Sequence, residues 1–128
     1  MMRKIILYAG GVVNLLLAVG HMFFWKLLNW GEELPRLSPI NQGVLQLANI
    51  IIIFTILYFS VMSFVMARRK VVDIFGKSLI IQIAGFYALR LFLGYPFFGF
   101  NGEELVIWLI CLLLTSGYLS LVFLKEEW

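Results

Sequence analysis

The stretch VLQLANIIIIFTILYFSVMSFVMA, residues Val44 to Ala67, runs for 24 positions without one charged side chain. An α-helix rising 1.5 Å per residue needs about 20 apolar residues to cross about 30 Å of hydrocarbon, so this stretch is long enough to span a bilayer. Its apolar residues are continuous and do not alternate with polar ones. A helix is therefore the spanning form it can take, because hydrocarbon offers no partner to an unpaired backbone amide.

Three further runs of this kind flank it, near Ile5 to Trp25, Ile74 to Phe98 and Leu105 to Leu124. In the third span in chain order, Gly94, Tyr95 and Pro96 are expected to end or kink the helix, since proline lacks a donor and restricts the residue before it. The whole composition agrees with this reading: 62% of the 128 residues are hydrophobic and 13% charged, against about 45 to 50% and 25% for soluble domains. A soluble domain of this size could not hide so much apolar surface. The length suits one domain, residues 1 to 128, and no repeat, low-complexity tract or linker interrupts it.

Basic residues give the expected orientation. Arg3 and Lys4 precede the first span, Arg68, Arg69, Lys70 and Lys77 surround the link between the second and third, and Lys125 follows the fourth, so seven of ten cations fall on one side. Lys26, Arg36 and Arg90 fall toward the other, with Glu32, Glu33, Glu103 and Glu104. The positive-inside rule then places both termini in the cytoplasm, as an even number of crossings requires. The expected fold is an all-α, antiparallel four-helix transmembrane bundle. Arg3, Lys4, the apolar run and the small residues Ala18 and Gly20 also imitate a signal peptide, but the run is long for one and reads as a retained span. The loop from Lys26 to Gly43 carries Trp30, Leu34 and Leu37 among its charges, just after Trp25, and contains Pro35 and Pro39. It is expected to lie on the membrane surface with its rings at headgroup depth, or else to fold over the outer end as a lid.

Polar side chains inside a span are costly, and an ionisable one is a functional hypothesis by default. Asn14 and His21 share a face of the first span, with Trp25 one turn on. Gln42, Gln46 and Asn49 recur at helical spacing in the second, and Ser60 returns to that face. The third carries Gln82 and Arg90. The fourth opens on Glu103 and Glu104, the latter on a side shared with Trp108, Cys111 and Thr115. All four spans thus supply polar groups toward the outer level, and the candidate ligand-binding residues are His21, Gln46, Asn49, Arg90, Glu104, Asn14 and Trp25. Arg90 needs a carboxylate partner, Glu104 or Glu103, or must reach the surface. The plainer reading is that these groups join helices by hydrogen bonds, with Ala84, Ala88, Ser116 and Ser120 as small contact positions.

No phosphate loop, HExxH, GxSxG or CxxC pattern occurs, and catalytic residues are not identifiable. One histidine, with no cysteine or carboxylate at ligand spacing, suggests neither a metal site nor a haem or other cofactor. Cys111, the lone cysteine, cannot close an intrachain disulfide. Nothing points to nucleic acid. Expected partners are membrane lipids, with a second copy or a larger membrane complex as the further class. Three functions remain open: an outer pocket for a small amphipathic or anionic molecule such as a lipid or quinone headgroup, a structural subunit or homodimer, and a membrane enzyme using His21 as acid or base.

The segment Asn14 to Trp30, with Gly20, His21, Phe24, Trp25 and Trp30, followed by Asn41, Gly43, Gln46 and Asn49, resembles a pattern in small four-helix bacterial membrane proteins. Size and topology also resemble DoxX-like proteins. The likeness covers roughly the first half of the chain. It implies a bacterial cytoplasmic-membrane setting and brings with it no activity and no catalytic residue.

Overall fold

The computed structural model describes residues 1–69 and 72–124. Lys70 and Lys125, two of the seven cations assigned to one side, lie outside the described residues. The elements are α1 (Met2–Met22), α2 (Phe24–Leu27), α3 (Trp30–Glu33), a 3₁₀ turn at Leu34–Arg36, α4 (Pro39–Arg68), α5 (Ile74–Phe98) and α6 (Gly102–Phe123). No strand occurs among the described residues. Four helices, α1, α4, α5 and α6, are long and apolar enough to cross a membrane. The shortest, at 21 residues, is about 30 Å long.

The helix ends show which local signals govern. Ser38 and Pro39 begin α4 five residues before the expected start: the Asn41 amide donates to Ser38 Oγ at 3.4 Å. Proline suits the first helical position, where its missing N–H has no helical partner to lose. Pro39, expected to lie within the loop, is instead the first residue of α4. Asp73 caps α5 by accepting from the Gly76 amide at 2.9 Å, and Asn101 caps α6 by accepting from the Glu104 amide at 2.8 Å. α5 has the expected bounds, Ile74–Phe98, and of the two effects expected at Gly94 to Pro96, an end or a kink, the end does not occur. The helix runs through Pro96 to Phe98 and stops at Gly99, whose φ of +70° is a conformation glycine adopts without steric cost. The first span closes at Met22, three residues short of Trp25.

By compactness the chain divides into two units, one of Met1–Gly10 with the chain from Phe64 onward, the other of Gly11–Ser63. In the first, α5 and α6 pack as a helical hairpin joined by three residues. Ile80, Ile83, Tyr87, Leu91 and Gly94 of α5 are buried at steps of three or four residues. In α6 Cys111, Leu114, Tyr118 and Leu121 repeat that spacing, the pattern of a helix seam. The opening turns of α1 join this core: the Gly10 backbone lies against the Tyr118 ring, and Arg3 Nη2 donates to the Met66 carbonyl at 3.3 Å.

In the second unit the later half of α1 meets α4. Ser60 Oγ donates to the Gly11 carbonyl at 2.8 Å, and Asn14 and Ala18 are fully buried. Away from these contacts large apolar side chains face outward, among them Leu16, Ile50, Phe54, Phe92 and Leu113. Water would penalise such a surface over this extent, and hydrocarbon does not.

Between α1 and α4 the chain makes two short helical turns. Asn29, at φ +50°, breaks α2 from α3 and donates to Glu32 Oε2 at 3.0 Å. Phe23, Trp25, Leu27 and Leu28 are exposed beside Lys26, Glu32 and Glu33. The segment starts one residue after one span and ends two before the next, so the chain keeps these rings near the ends of the two spans, and the expected headgroup depth has a direct test. With the other tryptophans replaced by phenylalanine, Trp25 should emit at blue-shifted wavelength and be quenched by lipids brominated high on the acyl chain. A red, unquenched spectrum would place it in water.

Candidate functional site

Charge inside the first unit is concentrated where α5 meets α6. Arg90 Nη1 donates to Glu104 Oε1 at 2.7 Å and Nη2 to Oε2 at 2.8 Å, a two-pronged pairing that the planar guanidinium and carboxylate favour. Of the two glutamates that could serve Arg90, the one at the third helical position does so. Its amide is already held by Asn101, and the positive end of the α6 dipole adds to the stabilisation of its charge. The sequence Asn101-Gly-Glu-Glu104 has the spacing of a capping box, but the glutamate side chain turns to α5 instead of back to its own cap.

Two residues that the sequence reading did not connect with Arg90 shape this geometry. Gly94 stands one turn beyond Arg90, and a side chain there would run into Glu104 Oε1 and Arg90 Nη1. Phe98 stands two turns beyond, its ring centroid 4.8 Å from Arg90 Cζ, within cation–π range. Helical side chains ordinarily lean toward the N-terminus. Arg90 leans the other way, carrying its charge toward the end of the hairpin as a snorkelling cation does. The pair is unevenly covered. The Glu104 side chain is 7% exposed and that of Arg90 29%. Two of the five N–H donors of Arg90 bond to Glu104, and the others have no hydrogen-bond partner among the described residues.

The second unit holds His21, Gln46, Asn49, Asn14 and most of the aromatic loop. Asn49 Nδ2 donates to the His21 carbonyl at 3.1 Å, filling one of the acceptors that the last turn of α1 leaves open. His21 Nδ1 lies 2.8 Å from the Leu17 carbonyl. A carbonyl only accepts, so Nδ1 carries the proton, and in the neutral ring Nε2 is the acceptor. The imidazole stacks on Phe24 with centroids 4.3 Å apart. Gln46 Nε2 donates to the Gln42 carbonyl of its own helix at 3.2 Å, and Trp25 meets Trp30 edge-on at 6.3 Å. Asn49 Oδ1 is buried with no partner among the described residues.

The candidates thus fall into two clusters: Arg90 with Glu104 in one unit, and His21 with Asn49 in the other, where Asn14 is buried and Gln46 bonds within α4. Ser116 and Ser120 prove exposed, and each donates to a carbonyl of its own helix, so neither is buried in a helix contact within the first unit. Among the described residues no group of three His, Cys, Asp or Glu side chains comes together. No family model matches the chain, and no curated protein or solved structure does.

Proposed function

We propose that this chain is a multi-pass membrane protein that holds the polar head of an amphipathic molecule against Arg90. The supporting observation is the unequal covering of the ion pair: Glu104 is closed off, whereas the guanidinium keeps donors open beside the end of the hairpin. An N–H left unpaired near hydrocarbon is costly. A head rich in acceptor oxygens, such as a phosphate ester or a quinone carbonyl, removes that cost, while the tail lies along the outward apolar faces. Glu104 fixes the guanidinium, and Phe98 covers one of its faces.

The setting belongs to the same proposal. The four helices form an antiparallel bundle in a bacterial cytoplasmic membrane, with both termini inside. The distribution of cations supports this orientation, as does the bond from Arg3 to Met66, which holds the start of α1 beside the end of α4. Native mass spectrometry of the full chain, purified in mild detergent with its own lipids, tests the ligand. The double variant R90L/E104L removes the pair without leaving a lone buried charge. Wild type should retain an amphiphile that this variant loses, and identical adducts on both would refute the proposal.

A second reading, a structural subunit or homodimer, rests on how the second unit uses its polar groups. Ser60 and Asn49 both bond across from α4 to the α1 backbone, the role of polar side chains that join helices in lipid. Under that reading R90L/E104L carries the same lipids as wild type.

A further inference from the structure

The other end of the first unit presents a different surface. Arg3 reaches the Met66 carbonyl, so the first turn of α1 and the last turn of α4, 63 residues apart in sequence, sit side by side. That contact puts Arg3 and Lys4 at the same end of the unit as Arg68 and Arg69, and of these four Lys4, Arg68 and Arg69 are exposed. The link from α4 to α5 is five residues long, which keeps the first turn of α5 at the same level. The acid in that turn, Asp73, accepts the Gly76 amide as a cap.

Apolar side chains are exposed among these cations. Ile74 and Phe75 at the start of α5 are 78% and 80% exposed, and Met1, Met2 and Ile5 at the start of α1 also face outward. Cations above outward-facing apolar side chains match the two halves of a phospholipid, a phosphate and the upper part of its acyl chains. Residues at the ends of spanning helices stand at the depth where such headgroups lie.

We propose that this end binds an anionic phospholipid, its phosphate held by Lys4, Arg68 and Arg69 and its chains lying on Ile5, Ile74 and Phe75. Charge complementarity selects the occupant: three exposed cations, with Arg3 beside them, favour a lipid of net negative charge over a zwitterionic one. This site is separate from the Arg90 pair, which stands near the far end of α5.

The test is a lipid titration of the full chain in detergent by native mass spectrometry, with dioleoyl phosphatidylglycerol and dioleoyl phosphatidylcholine as probes. Phosphatidylglycerol should bind preferentially, and R68Q/R69Q should weaken it by about 25-fold, roughly 5-fold for each cation removed. Lys4→Gln alone should cost about 5-fold, which guards against a double variant that fails to insert. R68K/R69K, which keeps both charges, should bind as wild type does. Equal binding of the two lipids, indifference to Lys4→Gln and R68Q/R69Q, or displacement of the lipid by millimolar inorganic phosphate would each overturn the proposal.

Discussion

Glu104→Gln should destabilise the protein by about 2 to 3 kcal/mol, because it leaves the Arg90 guanidinium facing a neutral amide in a poorly hydrated place. Losing one partner of a fully buried pair costs about 3 to 5 kcal/mol. The lower figure applies because Arg90 is partly exposed and can be reached by water or headgroups. The double variant R90L/E104L should be nearly as stable as wild type, since the desolvation of both charges disappears with them. Thermal unfolding in mild detergent, followed by circular dichroism on R90L, E104L and the double variant, measures this coupling. Additive losses would show that the pair does not act as a unit.

The second large effect should come from Gly10→Leu, at about 3 kcal/mol. A Cβ at this position would overlap the hydroxyl and ring of Tyr118, and that side chain is fully buried. Overpacking a closed core costs about 1 to 3 kcal/mol. The first carbon alone already overlaps, so leucine falls at the upper end. Gly10→Ala should cost less, because alanine recovers about 1 kcal/mol of helix propensity. Shortening the opposing residue in G10A/Y118L should restore part of the loss, and the same melting experiment reads it. An unchanged melting temperature in Gly10→Leu would mean that α1 does not lie against α6 there.

The spans were legible in the sequence because hydrocarbon imposes one simple demand, a long apolar helix, and Val44 to Ala67 meets it without interruption. Their ends were less so. Ser38-Pro39 carries a start signal, but it sits among charges that read as loop, and Pro96 lies in a helix that continues through it to Gly99. The need of Arg90 for a carboxylate followed from the cost of an isolated charge in lipid. The selection of Glu104 did not, because it depends on which side of α6 faces α5. The roles of Gly94 and Phe98 at the ion pair escaped notice for a related reason: they arise only once Arg90 leans toward the end of its helix. Gln46, Ser116 and Ser120 show the converse, since a polar side chain can always turn to the carbonyls of its own helix, and spacing alone does not reveal that it has.

The central claim is that four helices thread a bilayer with both termini on one side, and labelling of single cysteines in intact cells tests it most directly. In a Cys111→Ser background, cysteines placed at Lys4, Glu33, Arg69 and Phe100 would be exposed to a membrane-impermeant maleimide. The account predicts that positions 33 and 100 react from outside, and that positions 4 and 69 react only after the membrane is opened. Labelling of all four from outside, or recovery of the chain in the soluble fraction, would contradict it.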